Sequence, residues 1–350
     1  MVIIMVRIGI IGCGGIARGT HIAQLKNIPE CRVTAICDID ETALKTVGDE
    51  LGLDKDCRYT DYRALIESGK VDAVEVCTPN HLHVPIACEA IRAGLPVNVE
   101  KPLSTDMAHA LPILDALKAS PVKNMMCFSY RYKDAVRYAK KLIGDGVLGD
   151  VISVDVSYCK ESALWEGRRL EWRFIKEYAG TGVLGDLGVH LIDMAQFLTG
   201  RITKVCGMTD VIVKRRQKID SDEWGDAETD DVCQFLARME NGVTGSFYIT
   251  RCAVGHANTI KYNVYGTKGA IMFDLDRPEI LMLCRGVKGP FETLDVPEGY
   301  RMGQEQMFVD LLHGKDCEYL PTIEDGIRSQ RILDAILLSS EKGEWVSVDA

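Results

Sequence analysis

Val6-Arg7-Ile8-Gly9-Ile10-Ile11-Gly12-Cys13-Gly14-Gly15-Ile16-Ala17 is the stretch that decides how this chain folds. Its first half is a nearly continuous apolar run, the pattern of a strand buried on both faces. Its second half has the spacing G-x-G-x-x-A, in which Gly12 allows a tight turn and Gly14 lets a pyrophosphate approach the backbone. Ala17 lets the next helix pack closely, with its N-terminal amides toward the phosphates. We therefore predict that Gly12, Gly14, Ile16 and Ala17 bind a dinucleotide.

Asp38 ends a second apolar strand, Arg32 to Cys37, about twenty residues past the glycine fingerprint. A carboxylate at this distance can accept hydrogen bonds from both hydroxyls of the adenosine ribose. The same charge repels a 2'-phosphate, and neither Cys37 nor Ile39 is a cation that would offset it. The sequence therefore favours NAD over NADP.

The alternation of strands and helices continues after Asp38. We predict a helix over Asp61 to Ser68, a strand over Val71 to Cys77, a helix over His83 to Ala93 and a strand over Leu95 to Val99. This alternation is typical of a parallel sheet with right-handed crossovers, and ligands bind such sheets at the carboxyl ends of the strands.

Polar residues follow the predicted strand Val71 to Cys77. Thr78, Pro79 and Asn80 offer a hydroxyl, a fixed bend and an amide beside the cofactor groove, and we expect His83 to cap or contact the cofactor. His81 and His83 resemble a metal pair only superficially, because no further ligands cluster nearby in the sequence. We expect no metal.

Lys101 follows the predicted strand Leu95 to Val99, and Pro102 prevents that strand from continuing as paired sheet. A lysine held at a strand end in an open parallel sheet lies where ligands bind. Glu-Lys-Pro also occurs as a solvated turn, so its meaning depends on the motifs around it.

Length and charge limit the functional classes. The 350 residues exceed what one core usually serves, so we expect two domains. Forty-one basic and fifty-one acidic residues give a net charge of -10, and the longest basic block is Lys214 to Arg216. Nucleic acid and anionic membranes are therefore unfavoured partners.

Cysteine usage and the N-terminus indicate the compartment. The thirteen cysteines are odd in number, dispersed and without a C-x-x-C pair, as expected for thiols buried in a reducing compartment. Met1 to Val6 is too short for a signal sequence, and no apolar run has membrane-spanning length. We expect a soluble cytoplasmic protein.

The second half of the chain has a different pattern. A strand candidate over Met125 to Tyr130 precedes an amphipathic helix, Lys133 to Ile143. Later strand-like runs are Ile152 to Tyr158, Thr203 to Lys214, Asp231 to Met239, Val243 to Thr250, Ile260 to Tyr265 and Ala270 to Phe273. Short turns such as Asn241-Gly242 predict a mixed, mostly antiparallel sheet.

Three motifs together carry a family resemblance. In this order, Gly12-x-Gly14-x-x-Ala17, Thr78-Pro79-Asn80-x-x-His83 and Glu100-Lys101-Pro102 resemble the Gfo/Idh/MocA family, with Ala17 in place of its last fingerprint glycine. The resemblance covers essentially the whole chain. It implies an α/β fold with a Rossmann domain over residues 1–125 that binds NAD, with Glu100 and Lys101 beside the cofactor. It also implies a C-terminal α+β domain over residues 126–350, built on a large open sheet, and pairing of subunits into a dimer or tetramer.

The segment from Gly182 to Asp193 is the second chemical stretch. A helix from Gly185 toward Leu198 places Asp186 and His190 about one turn apart on one face, as a general base lies beside its orienting carboxylate. The pair also matches the D-x-x-x-H element of the family, and we expect Asp193 to be structural.

The resemblance implies hydride transfer between nicotinamide and a carbinol or ketone of a sugar, polyol or sugar derivative. His190 would take the hydroxyl proton, Asp186 would orient the imidazole, and Lys101 would polarise the same oxygen. Two alternatives stay open: a glycoside-cleaving or eliminating enzyme that recycles bound NAD, and a non-catalytic sugar or nucleotide sensor.

Arg131, Trp172 and Arg173 are candidates for substrate binding. Arg131 follows a strand end, whereas Trp172 and Arg173 lie in a charged segment from Lys160 to Arg173. Either a sugar ring stacks on Trp172 while a guanidinium binds hydroxyls or a carboxylate, or this segment is a mobile surface loop.

Overall fold

The computed structural model describes residues 5–300 and 302–348. It divides into unit 1, formed by Met1–Cys127 and Gly303–Ile327, and unit 2, formed by Phe128–Met302 and Arg328–Ala350. The sequence predicts a break at residue 125 and a continuous second domain. The structure differs because residues 303–327 return to unit 1, where Met126 N donates to Pro321 O at 2.9 Å and Ile323 N donates to Asn124 Oδ1 at 3.0 Å.

Unit 1 contains a parallel sheet of the Rossmann type. Its strands are β1 Val6–Ile11, β2 Cys31–Cys37, β3 Arg58–Tyr59, β4 Ala73–Val76, β5 Val97–Val99 and β6 Asn124–Met126. Within the described residues the order is β3-β2-β1-β4-β5-β6, so the direction of winding reverses between β1 and β4. Ligands of open α/β sheets bind at the carboxyl ends of the strands beside such a reversal.

The helices connect the strands and cover the sheets. They are α1 Ala23–Leu25, α2 Glu41–Glu50, α3 Tyr62–Glu67, α4 Asn80–Arg92, α5 Met107–Ala110, α6 Pro112–Ala119, α7 Asp134–Gly144, α8 Lys176–Ala179, α9 Val189–Thr199, α10 Gln304–Leu312 and α11 Ile323–Lys342. Side-chain oxygens cap the N-termini of several helices. At the start of α2, for example, Asp40 accepts hydrogen bonds from Thr42 N and Ala43 N. No helix in the described ranges combines the length and apolar character needed to cross a bilayer.

Unit 2 contains a large, mostly antiparallel sheet. Its strands are β7 Val151–Cys159, β8 Ile202–Asp210, β11 Val232–Met239, β12 Thr244–Thr250, β13 Thr259–Gly266, β14 Gly269–Asp274, β15 Ile280–Arg285, β16 Phe291–Asp295 and β17 Val346–Ser347, while β9 Arg215–Gln217 and β10 Trp224–Asp226 form a separate hairpin. The described strands follow the order β16-β15-β14-β13-β7-β12-β11-β8-β17, and β7 pairs with β12 in parallel. Both predicted sheets are confirmed.

Alternation along β11 shows how the second sheet is buried. Phe235 is buried and stacks on Phe247 of β12 with ring centroids 4.2 Å apart, whereas Leu236 on the opposite face is exposed. The covered face meets α9, whose residues are almost all buried, and the helical turn just before it. The predicted catalytic helix is therefore held against the sheet of unit 2.

Candidate active site

The glycine turn after β1 has the shape that a pyrophosphate requires. Gly12 has φ +98°, and a Cβ there would lie 2.6 Å from the carbonyl oxygen of Cys77, so glycine is needed where the turn passes the end of β4. Nothing lies within 4 Å of a Cβ built on Gly14. Ile16 is exposed and Ala17 is fully buried. The turn is open toward a ligand and closed toward the sheet, as the dinucleotide fingerprint predicts.

Asp38 lies beside that turn, at the end of β2. Its Oδ2 accepts a hydrogen bond from Cys13 N at 2.6 Å, and its Oδ1 accepts one from Asp40 N at 2.9 Å. Each carboxylate oxygen retains further acceptor capacity, which ribose hydroxyls can use. Asp38 therefore also holds the glycine turn, a contact that the sequence did not predict.

His83 makes backbone contacts that the sequence did not predict, and its contact with the cofactor stays a prediction. It is 1% exposed, its Nε2 lies 2.8 Å from Thr78 O, and its Nδ1 lies 2.8 Å from Pro102 O. Burial lowers the pKa of His83, and a neutral imidazole carries one N–H to donate. The ring lies between the loops after β4 and β5 and donates its single N–H to one of the two carbonyl oxygens, because the first turn of α4, which begins at Asn80, directs it inward.

Glu100 also makes contacts that the sequence did not predict, and its place beside the cofactor stays a prediction. Its carboxylate is directed into the interior of unit 1, where Oε1 lies 2.9 Å from His21 Nε2 and Oε2 accepts from Lys101 N at 3.0 Å. Lys101 is half-buried at the end of β5, and the Lys101–Pro102 peptide is cis. Its position after a parallel strand is the one predicted, whereas its chemical role stays a prediction.

His190 lies near the start of α9 in unit 2. The π-helical segment Leu184–Gly188 precedes α9, so Asp186 and His190 lie on consecutive turns. The Tyr130 ring lies beside the imidazole of His190, with centroids 4.3 Å apart and planes inclined by 30°. The imidazole is therefore fixed in unit 2 by an aromatic neighbour.

A chain of hydroxyl groups continues from Tyr130. The hydroxyls of Tyr130 and Tyr158 lie 2.9 Å apart, and Tyr158 donates to Asn258 Oδ1 at 2.8 Å. Since the single proton of Tyr158 is used in this way, Tyr130 donates to Tyr158. Burial raises the pKa of Tyr158 well above its usual value, so this group remains a hydroxyl at neutral pH.

Asp186 has a charged partner that the sequence did not reveal. Arg251 Nη2 donates to Asp186 Oδ2, and Arg251 is 2% exposed. A charge-assisted bond from a buried guanidinium fixes the position of the carboxylate. Arg251 directly follows β12, so a charged residue after a predicted strand was the signal available in the sequence.

Asp230 holds the beginning of the helical segment that carries Asp186. Its Oδ1 accepts from Gly182 N at 2.6 Å and its Oδ2 accepts from Leu184 N at 2.8 Å. These are backbone donors at a helix start, which need an external acceptor. Asp230 therefore fixes where the helical segment starts.

Arg131 forms a pair with Asp193 that the sequence did not predict, and its assignment to the substrate stays a prediction. Arg131 is 7% exposed, and its Nε and Nη2 donate to the two oxygens of Asp193 at 2.8 and 2.6 Å. A bidentate pair of this kind is a rigid structural link. The expectation that Asp193 is structural agrees with this contact.

Trp172 and Arg173 lie in a 3-10 turn, Trp172–Phe174. The guanidinium of Arg173 lies 4.4 Å from the centroid of the Trp172 ring, and its Nη1 lies 3.4 Å from Glu171 Oε2. The charged segment around them also has internal hydrogen bonds: Arg168 Nη1 donates to Ser162 O at 2.8 Å. Binding of substrate by Trp172 and Arg173 stays a prediction.

Family models match both parts of the chain. The model described as an oxidoreductase family with an NAD-binding Rossmann fold matches residues 6–128. The model described as the GFO/IDH/MocA C-terminal domain matches residues 136–272.

Relatives and solved structures agree with these matches. The chain is 30% identical over 325 residues to levoglucosan dehydrogenase of Pseudarthrobacter phenanthrenivorans, covering 83% of each protein. It is 28% identical over 364 residues to glucose-6-phosphate 3-dehydrogenase of Bacillus subtilis, covering 99% of each. A solved levoglucosan dehydrogenase in complex with NADH superposes with a TM-score of 0.89 at 28% identity, covering 98% of this chain and 99% of the other. The chain belongs to the Gfo/Idh/MocA family of NAD-binding oxidoreductases.

Proposed function

We propose that this protein is an NAD-dependent dehydrogenase that transfers a hydride between nicotinamide and a carbinol or ketone of a sugar or polyol. The observation that supports this most directly is the open glycine turn with Asp38 bonded to Cys13 N. It occurs in a chain similar over 98% of its length to a levoglucosan dehydrogenase solved with NADH. When bound, the nicotinamide accepts or supplies the hydride.

We assign the proton chemistry to His190, which accepts the hydroxyl proton during oxidation. Asp186, fixed by Arg251, orients the imidazole and stabilises its charged form. Lys101 stabilises negative charge on the reacting oxygen. Trp172 and Arg173 are assigned to the substrate, with the indole offering an apolar surface to a sugar ring.

The direct test is formation of NADH from free NAD with a panel of sugars and polyols. Levoglucosan, glucose 6-phosphate, apiose and myo-inositol belong in the panel, because relatives are named for these substrates. We expect absorbance at the NADH maximum to rise in proportion to product for at least one compound. If no member of a broad panel reacts while NAD binds, the dehydrogenase assignment is wrong and the sensor alternative gains support.

Similarity to one solved structure supports testing a second function, in which the enzyme recycles its bound cofactor. A solved aldose-aldose oxidoreductase from Caulobacter crescentus superposes with a TM-score of 0.84 at 25% identity. An enzyme that recycles its cofactor consumes substrate without a lasting absorbance change. Product analysis by mass spectrometry, run beside the NADH assay, distinguishes recycling from net oxidation.

We also infer a homo-oligomer, a dimer or tetramer, in the cytoplasm. Apolar side chains on the outer face of the unit 2 sheet, including Met208, Leu236 and Tyr248, are exposed within one chain, which favours a partner surface. All thirteen cysteines are free thiols, as expected in a reducing compartment.

A further inference from the structure

Four ionisable side chains meet in the interior of unit 1, outside the proposed chemistry. His21 comes from the helical turns after the fingerprint, Glu75 from β4, Glu100 from the end of β5, and Glu305 from α10. All four are buried, with at most 7% exposure. His21 Nδ1 lies 2.8 Å from Glu75 Oε2 and 3.0 Å from Glu305 Oε1, and His21 Nε2 lies 2.9 Å from Glu100 Oε1.

The contacts determine the protonation of the imidazole. Both ring nitrogens face carboxyl oxygens at hydrogen-bond distance, and both can donate only if the ring is an imidazolium. Burial opposes this charge, but the carboxyl groups that face the ring, including Glu305 and Glu75, raise the pKa of His21 well above its usual value. His21 is therefore a buried cation.

Three carboxylates around one cation would leave two uncompensated charges in a buried site, which is costly. One extra proton on the cluster removes half of that excess. Burial raises the pKa of Glu75 to about 8, and repulsion from Glu305 adds to the shift. Burial also acts on Glu100 and Glu305, but His21 outweighs it, so the pKa of Glu100 falls to about 2 and that of Glu305 falls as well. Glu75 therefore carries the proton at neutral pH.

The other titratable side chains that face the four residues add no further charge to the cluster. Burial raises the pKa of Cys77 to about 11, that of Cys31 to about 12, and that of Cys127 well above its usual value, so these thiols are neutral. Lys101 adjoins Glu100 in the chain, and its backbone N–H is held by Glu100 Oε2 at 3.0 Å. The cluster is thus bonded to the residue that we assign to the reacting oxygen.

We propose that His21, Glu75, Glu100 and Glu305 form a buried positioning centre, which holds one extra proton on Glu75 and fixes the backbone of Lys101 through Glu100. These are positioning residues, since none of them is assigned to the reacting atoms. The inference depends on the proposed function only in the role given to Lys101. The protonation of the centre is independent of it.

Glutamine substitutions test the centre, because glutamine imitates a protonated carboxyl group and not an ionised one. Glu75→Gln should keep the melting temperature at pH 7 within about 2 °C of the wild type. A shift of this size corresponds to a change of less than about 1 kcal/mol in the free energy of unfolding. Glu305→Gln and Glu100→Gln each remove an anion from a buried pair and should lower it by roughly 6 °C or more. Glu67→Gln, on an exposed glutamate of α3, is the matched control and should change nothing. Equal effects at positions 75 and 305 would overturn the proposal.

The pH dependence gives a second readout, which simple loss of packing would not change. Because the pKa of Glu75 is raised from 4.5 to about 8 on folding, its stabilising effect is complete below pH 4.5 and is lost as the pH rises to about 8. Glu75→Gln should therefore become more stable relative to the wild type between pH 5 and pH 8. A wild-type pH slope in this variant would contradict the assignment of the proton.

Two measurements on the unmodified protein complete the test. Nitrogen NMR should show that one of the seven histidines keeps both ring protons at pH 8, and absence of such a signal would refute the buried cation. Cys77 or Cys127, His21 and one of the carboxylates lie close enough to hold a metal ion, so elemental analysis is the other measurement. A stoichiometric metal would replace the positioning centre by a metal site. None of these readouts needs a substrate, so their outcome is separate from that of the NADH assay.

The link to Lys101 is tested by kinetics once a substrate is known. Glu100→Gln should lower kcat at least tenfold while the Kd for NAD stays within twofold, because the substitution disturbs the backbone of Lys101 and leaves the glycine turn intact. Unchanged kcat would show that the centre serves stability alone.

Discussion

Asp38 combines two tasks at the scale of a single residue. It bonds the amide of Cys13 in the glycine turn, and its charge faces the place where a 2'-phosphate would lie in NADP. We predict that NAD binds more tightly than NADP by at least tenfold, about 1.4 kcal/mol, as measured by fluorescence titration. Equal affinities would refute the role of Asp38.

Replacement of this carboxylate separates charge from position. Asp38→Asn should lower the preference for NAD over NADP, because it removes the repulsive charge and keeps an acceptor oxygen. Asp54→Asn, at an exposed aspartate of the same unit, should leave the ratio unchanged. A similar change in both variants would indicate a general charge effect.

His190 is the residue on which the proposed proton transfer depends. His190→Ala should lower kcat by roughly 10²- to 10⁴-fold and leave the affinity for NAD nearly unchanged. Lys101→Ala should act similarly, and Asp186→Asn should be milder or comparable, since the imidazole survives. His109→Ala, at an exposed histidine, serves as the control. Full turnover in both the His190 and the Lys101 variant would show that the assignment is wrong.

Residues that are adjacent in the sequence differ in how much of their position and contacts the sequence predicts. Lys101 could be placed at a strand end because an apolar run precedes it and Pro102 follows it. The place of Glu100 in the buried cluster could not be predicted, because the cluster forms only in the folded chain. Glu100 contacts His21, and His21 also contacts Glu305, a residue far along the chain. The partner of Arg131, Asp193, could not be predicted either, because the two residues meet only when their helical segments pack together.

At the scale of elements, the start of the helical segment that carries Asp186 depends on one glycine. A Cβ on Gly182 would lie 1.9 Å from the carbonyl oxygen of Asp230, the residue that caps this segment. Gly182→Ala should therefore destabilise unit 2 by roughly 2 kcal/mol or more, observed as a lower melting temperature.

A second glycine provides the comparison. Gly144 lies at the end of α7 with open space where a Cβ would be placed, so Gly144→Ala should be neutral or slightly stabilising. If both variants melt alike, the close approach at Gly182 is not a constraint.

Regular elements were predicted better than local irregularities. The apolar runs of β1, β7 and β12 and the periodic pattern of α9 are properties of the local sequence. The π-helical segment Leu184–Gly188 could not be read from periodicity, because its geometry depends on how Asp230 and the sheet hold it. The hairpin of β9 and β10 was also missed, since its charged strands lack the alternation typical of a half-buried sheet.

At the scale of the whole molecule, the exposed apolar face of the unit 2 sheet predicts association. Light scattering in dilute solution should give a mass that is a multiple of the 38.8 kDa of one chain. A double variant, Met208→Lys with Leu236→Lys, places two charges on that face and should shift the mass toward the monomer. Val287→Lys, at a side chain that is 84% exposed in a turn, should leave it unchanged. A wild-type mass of one chain would contradict the inference.

The return of residues 303–327 to unit 1 determines the order in which the protein can mature on the ribosome. Residues 1–127 emerge first, yet Glu305 and the buried Met307 and Phe308 of α10 belong to the same unit. A nascent N-terminal half therefore has His21 without one of its three carboxyl partners, Glu305, and an uncovered apolar surface. The nucleotide unit can therefore be completed only after residues 128–302 of unit 2 have been translated, and until then the surface that α10 covers stays open.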